Sequence, residues 1–433
     1  MPDGALQIKT GAPTNAGAAG HPTVVEAAAI RHDRASLQGF VTDADSEAAL
    51  RAGLGDLLPE VPDIRRGGIR AAYATMQKSS TPKILVVDVS GEDQPLKALG
   101  DLAAVVEPDV CVLVIGDRDS TDFYREVTRG LGAADYLAKP LTRDSVARHF
   151  GGFVLGKAPS SEAVLGGRVI TITGARGGAG ASTVTANLAW YLGVTLHHHT
   201  VLLDPDLYRG TAAFLFNLHC GAGLRTALEY PERIDSLLAE RAAQPAAERL
   251  HVLAGEERLT APLSYAAGAG ERLVESLRKR YNFVIADVPF VPVQLHRDLL
   301  DLAHQRIIVM EPTLASMRDA LRLLALPPGP VQTQGAVLVL NRMGVAGGLS
   351  RRQIEDGLKA KIDVVIPDLP RPVRHAANLG EPVIASNDVF RRAIMEVARQ
   401  VANLALLDPS GSGAAAEAAP SRGWLRLGRR RAA

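Results

Sequence analysis

The chain has 433 residues, enough for about three domains of roughly 150 residues or two larger ones. Its 48 Lys and Arg against 47 Asp and Glu leave a net charge of +1, which excludes a wholly basic nucleic-acid coat and leaves charged partners to local patches. The 47% hydrophobic content suits buried cores, and two distant cysteines, Cys111 and Cys220, exclude a disulfide framework or a four-thiolate metal site, which fits a reducing cytoplasm.

Residues 1–35 are rich in Ala, Gly, Thr and Pro and read as a flexible leader, without the basic and apolar regions of a secretory signal. From 36 to 150, β-rich runs at 39–42, 83–87, 110–115 and 135–137 alternate with helical stretches at 46–54, 96–106 and 121–130. That alternation predicts a parallel sheet covered on both faces. Residues 151–166 hold glycines, a proline and serines and read as a linker. From 167 to 408 a longer α/β run follows, with strands at 168–173, 200–203, 250–254, 283–286, 306–310 and 336–340. These are apolar at nearly every position, as central strands of a doubly wound sheet are. His197, His198 and His199 precede one of them; adjacent side chains diverge, so the run reads as an exposed loop and not a metal site. Residues 409–433 form a solvated tail ending in Trp424-Leu-Arg-Leu-Gly-Arg-Arg-Arg431, whose basic groups would suit an anionic surface. No apolar run approaches the ~18 residues that cross a bilayer.

Thr171-Ile-Thr-Gly-Ala-Arg-Gly-Gly-Ala-Gly-Ala-Ser-Thr183 carries the chemistry. It follows a strand and opens a helix, so Gly177, Gly178 and Gly180 let backbone amides approach a phosphate at a helix N-terminus. Ser182 stands where a phosphate-loop hydroxyl would bind Mg²⁺. Leu202-Leu-Asp-Pro-Asp206 ends the next strand in two carboxylates, and Asp287 ends the strand at 283–286. Taken singly, each aspartate could be a helix cap. Together, at the edge where open α/β sheets bind ligands, they suit a hydrated Mg²⁺ beside a nucleotide.

The loop resembles the deviant Walker A of the MinD/ParA-type ATPases, a SIMIBI group of P-loop NTPases. In that pattern the signature lysine corresponds to Arg176 and the phosphate-loop lysine to Ala181. The resemblance implies ATP and Mg²⁺ as ligands. It implies that Arg176, Gly177, Gly178, Ala179, Gly180, Ala181, Ser182 and Thr183 bind the nucleotide and that Asn341 reads the adenine edge. It further implies Ser182, Asp204, Asp206 and Asp287 around the metal, with Asp204 the candidate catalytic group. Within the group the chain is similar to the TadZ/CpaE branch of Flp/Tad pilus-assembly proteins. Pro231-Glu-Arg-Ile-Asp235, Arg249-Leu-His-Val-Leu-Ala254 and Asn378-Leu-Gly-Glu-Pro382 also look like stretches of that branch.

The first α/β stretch resembles a receiver (flavodoxin-like) domain, with Asp88 at the phospho-acceptor position and Lys139 at the lysine position. It lacks the paired acids after the first strand, where Thr42-Asp43 stands, and the hydroxyl residue in Ile115-Gly116-Asp117. The expectation is therefore a degenerate receiver-like domain that serves docking or dimerisation. In the nucleotide domain, Ala181 removes a unit charge from beside the β/γ-phosphates, so the chain is at most a slow ATPase.

The resemblance as a whole implies an ATP-binding, homodimeric spatial organiser in the cytoplasm, polar and peripheral to the inner membrane. The partners it implies are a pilus secretion ATPase, inner-membrane platform proteins and a polar landmark protein. MinD-type relatives touch membranes through a carboxyl-terminal amphipathic segment, and nucleic acid is not an expected partner. A hydrolysing partition or division-site ATPase and a nucleotide-free scaffold are the alternatives.

Overall fold

Each of the two β/α stretches closes into its own sheet. The computed structural model describes residues 34–58, 60–156, 167–234, 241–332 and 334–402. Residues 1–33 of the expected leader, 157–166 of the expected linker and the whole expected tail lie outside the described residues.

The first unit runs β1 (Leu37–Val41), α1 (Ala44–Leu54), β2 (Asp63–Arg66), α2 (Gly68–Met76), β3 (Ile84–Asp88), α3 (Pro95–Val105), β4 (Cys111–Gly116), α4 (Thr121–Arg125), β5 (Asp135–Ala138) and α5 (Arg143–Val154). Its strands pair in the order β2-β1-β3-β4-β5, all parallel, which is the flavodoxin-like order. β2, Asp-Ile-Arg-Arg, has no apolar run to announce it. It is an edge strand that buries only Ile64 and pairs Arg65 with Asp63 and Arg66 with Glu47. α5 runs to Val154, through Gly151 and Gly152 and four residues into the expected linker. Phe150 is fully buried and Phe153 and Val154 pack on the same cluster, which outweighs the ~1 kcal/mol that each helical glycine costs.

The second unit runs β6 (Arg168–Gly174), α6 (Ala181–Trp190), β7 (Thr200–Leu203), α7 (Gly223–Glu229), β8 (Gln244–Ala247), β9 (Leu250–Leu253), α8 (Ala269–Arg278), β10 (Phe283–Asp287), α9 (Gln294–Asp301), β11 (Gln305–Met310), α10 (Leu314–Leu324), β12 (Val337–Met343), α11 (Arg351–Leu358), β13 (Val364–Pro367), α12 (Pro370–Leu379) and α13 (Asp388–Ala402). The order is β13-β12-β11-β6-β10-β7-β9-β8, with only β8 antiparallel. Central strands β7, β10 and β11 are buried at every position, because helices cover both faces. β8 contains Pro245, which has no donor for a ladder and so sits at an edge. β6 lies mid-sheet between β11 and β10, and the turn after it opens at their carboxyl edge.

The opposite, amino-terminal edge of this sheet holds the first unit. His198 does not lie in an exposed loop as expected: it is 1% exposed, and its Nδ1 donates to the Ala104 carbonyl at 2.6 Å. Arg249, 4% exposed, donates to the carbonyls of Val105 (2.8 Å), Ser79 (3.2 Å) and Met76. Asn282 donates to the carbonyls of Ala103 (3.1 Å) and Val106 (3.0 Å). These are last-turn carbonyls of α2 and α3 and the residues just after them, which lack partners inside their own helices. They also carry the negative end of the helix dipole, which suits the Arg249 cation. Only His197 of the histidine run is exposed. The signal it gives is local, whereas the burial of His198 comes from the other unit.

Replacing Arg249 with leucine should therefore weaken the contact by about 2–3 kcal/mol, the scale of charge-assisted hydrogen bonds. Calorimetry is expected to turn one unfolding transition into two. Burial pushes His198 down to about 4, below the ~6.5 of a free imidazole. The docked state then holds its full stability above about pH 6.5 and loses it as pH falls toward 4. Scans of the wild type and His198→Gln at pH 5 and pH 7.5 check this, the pH-dependent difference between the two proteins being the His198 contribution.

Candidate functional site

Where β6 gives way to α6, the chain makes a glycine turn that lines a cavity of about 530 Å³ with Asp204, Asp206, Asp287, Phe290, Arg209 and Arg342. Gly178 and Gly180 have φ of +85° and +92°, in the left-handed region that glycine adopts without strain. A Cβ at Gly177 or Gly178 would meet nothing within 4 Å, so the space above these amides is open to a ligand. At Gly180 a Cβ would stand 2.3 Å from Asn341 Nδ2, so that position also admits no side chain. Ala181, Ser182 and Thr183 form the first turn of α6, whose amides have no intrahelical acceptors. The backbone thus offers a positive, side-chain-free cradle of the kind that holds phosphates.

Two of the three predicted metal carboxylates come together beside this cradle. Asp204 is 2% exposed; it accepts from the amides of Asp206 (3.2 Å) and Ala212 (3.0 Å). Asp287, 9% exposed, accepts from Thr185 Oγ1 at 3.3 Å, and Ser182 lines the cavity beside it. Burial, and then the charge of Asp204, pushes Asp287 up to about 7; burial pushes Asp204 up to about 6. Gly210 seals the far wall: a Cβ there would lie 2.6 Å from Asp204 Oδ2. Asp206 lines the same cavity, but its carboxylate is engaged within its own loop, Oδ1 accepting from the amides of Tyr208 and Arg209 and Oδ2 lying 3.4 Å from Arg209. No group of three or more His, Cys, Asp or Glu poised to hold a metal occurs among the described residues. Two buried carboxylates and a hydroxyl fit Mg²⁺, which keeps waters and takes further oxygens from phosphates.

The cations around the cleft are all engaged within the chain. Arg176 NH1 lies 2.9 Å from Asp319 on α10. Asn341, predicted to read adenine, donates from Nδ2 to the Ala179 carbonyl at 2.8 Å and accepts the Arg342 amide at 2.9 Å, and so braces the loop. Its neighbour Arg342, which the motif comparison passed over, lines the cavity itself.

In the first unit Asp88, its side chain wholly buried, ion-pairs with Lys139 Nζ at 2.6 Å and accepts from Thr42 Oγ1 at 2.7 Å. Lys139 also pairs with Asp43 and donates to Thr42 Oγ1 at 2.9 Å. Against the upward pull of burial, Lys139 holds both carboxyls below the usual range. Lys139→Met should cost the unit about 3 kcal/mol by leaving a buried charge unpaired. Denaturant titration of that variant, and recovery in Asp88→Asn/Lys139→Met, checks it.

No family model matches the chain. About half of it is similar to curated septum site-determining proteins. It is 28% identical to MinD of Synechocystis sp. over 228 residues, 50% of this chain and 82% of that protein. It is 25% identical to MinD of Bacillus subtilis over 267 residues, 53% of this chain and 90% of that protein. Among solved structures it is similar to a ParA family ATPase from Chlorobium tepidum TLS, with 20% identity and a TM-score of 0.47 over 54% of this chain and 98% of that one. A cell division ATPase MinD from Pyrococcus furiosus matches with 22% identity and a TM-score of 0.47 over 55% of this chain and all of that one. The homologues of this chain are MinD/ParA-family P-loop ATPases.

Burial and the charge of Asp204 disfavour the ionised form of Asp287. Asp287→Asn is therefore expected to raise the melting temperature of the protein at pH 8. The Asp287 contribution rises as pH falls from about 7 toward 4, where the folded carboxyl binds the proton that the unfolded one, at about 3.9, does not. It opposes the His198 contribution, so it is read as a stability difference between wild type and Asp287→Asn that narrows as pH falls. Thermal melts of both proteins at pH 5.5 and 8 separate the effects.

Proposed function

We propose that the second unit binds ATP with Mg²⁺ and that the bound nucleotide stabilises a face-to-face homodimer acting as a spatial organiser. The observation that carries this reading is the open cradle of Gly177 and Gly178 amides next to the buried Asp204–Asp287 pair. The amides of residues 177–183 would hold the phosphates. Ser182, Asp204 and Asp287 would hold the cation's shell, with Asp206 reaching it only if its loop reorganises. Mg²⁺ when bound would neutralise phosphate charge. Asp204 is the candidate group to orient water, and Asn341 would meet the adenine edge only by releasing the Ala179 carbonyl.

Ala181 supplies no ammonium where charge would develop, so turnover is slow or absent. A conformational role for the nucleotide follows, in which one dimer is stabilised and its composite surface recruits partners. The TadZ/CpaE resemblance supports a role in assembling a Flp/Tad pilus machine, with the secretion ATPase, the inner-membrane platform and a polar landmark as partners. A polar, cytoplasmic location and a peripheral membrane contact through the tail belong to that reading. No helix among the described residues is long and apolar enough to cross a membrane. The first unit, degenerate as a receiver, serves as a docking module, since Lys139 already occupies the Asp88 carboxylate. Phosphorylation at Asp88 would have to displace it.

The MinD relatives favour a second reading, a hydrolysing division-site ATPase, and Ala181 separates the two. Sedimentation with and without ATP·Mg²⁺, together with phosphate release, tests the proposal. A nucleotide-dependent dimer with little phosphate released is expected. Rapid multiple turnover would favour the second reading, and a monomer without ATP affinity would leave only a nucleotide-free scaffold.

A further inference from the structure

The phosphate cradle has lost its lysine, and a triphosphate tail still needs positive charge. Of the cations close by, Arg209 is held over Asp206 and Arg176 is drawn to Asp319. Arg342 differs from both in how its backbone is placed. β12 pairs regularly with β13 up to Leu340, then shifts register before Met343, so Asn341 and Arg342 form an irregularity at the carboxyl end of the strand. Bulges of this sort re-aim a side chain and gather at functional sites. Arg342 also has φ +55°, a left-handed conformation that costs a non-glycine residue energy and persists only where its surroundings impose it. The imposing contacts are visible: Asn341 accepts the Arg342 amide while its own amide is fastened to Ala179 in the loop. The strained residue is thus pinned to the glycine turn and lines the same cavity.

Its position relative to the sheet says which part of a nucleotide it would meet. The carboxylates Asp204 and Asp287 stand at the ends of β7 and β10, on one side of β6. β11 and β12 stand on the other. With the cation and terminal phosphates on the first side, the nucleoside end of the ligand leaves the cradle on the second. The Arg342 guanidinium is half exposed and ion-pairs with Glu311, just after β11. A carboxylate and a phosphate offer the same bidentate acceptor geometry to a guanidinium.

We propose that Arg342 is a nucleotide-binding cation, held by Glu311 until the α-phosphate of the ligand replaces that carboxylate. The proposal rests on the nucleotide reading above and supplies the site with a charge that the loop sequence lacks. Arg342→Gly removes the guanidinium and suits the left-handed backbone, so the variant should fold at least as well as the wild type. Calorimetric titration with ATP, ADP and AMP in the presence of Mg²⁺ should give an affinity about ten- to a hundredfold lower for each, the loss of one charge-assisted contact. Adenosine, which has no phosphate, should bind both proteins equally. Arg342→Lys should recover part of the loss, and Glu311→Gln should tighten ATP severalfold by freeing the arginine.

Wild-type affinity with an unchanged Arg342→Gly overturns the role of Arg342 alone. An equal loss for adenosine would also overturn it, as would a Glu311→Gln variant with unaltered ATP affinity. A wild type that binds none of the nucleotides would sink the nucleotide reading and this proposal with it.

Discussion

Between Gly174 and Ala181 the chain has to turn from a buried strand into a helix while keeping its amide groups outward and bare. Any side chain at Gly178 or Gly180 would strain the backbone, and one at Gly180 would strike Asn341. The rest of the second unit is arranged around that requirement. β11 and β10 clamp β6 on both sides, so the strand cannot yield. β10 and β7 bring Asp287 and Asp204 to the same edge, and Asn341 reaches in from β12 to fix the Ala179 carbonyl. The outward amides of the turn and the two buried acids thus share one edge of the sheet. Two carboxyls with raised pKa gathered in one cleft mark this edge as a candidate site.

The two units meet with their quiet edges together. His198, Arg249 and Asn282 precede β7, β9 and β10, and each fastens to helix-end carbonyls of the first unit. The carboxyl edge of each sheet, with Lys139 and Asp88 in one and the glycine turn in the other, is left unobstructed by this contact. A covalently tethered pair held this way presents two independent faces, and neither has to open for the other to be used.

The central architecture was legible because buried parallel strands are apolar throughout, so β3, β7, β10 and β11 stand out from any neighbouring residues. The glycine turn was legible because Gly177, Gly178 and Gly180 crowd between an apolar strand and a helix, a spacing that phosphate turns share with ligand-free strand–helix turns. Edge strands were not: β2 buries one side chain and β8 contains proline, and neither leaves an apolar pattern. His198 was misread because its burial is created by α3, some ninety residues away in the chain. Arg342 escaped notice because regular strand alternation would send it to the face opposite Asn341. The register shift that redirects it has no residue signature of its own.

The margins of the larger sheet have a bearing on how copies of this protein can meet. At one end β8 carries Pro245, and at the other β13 closes on Pro367. A proline on a border strand withholds the donor that an incoming chain would need to continue the ladder. Growth by strand addition, the route to fibres, is thereby discouraged at both margins.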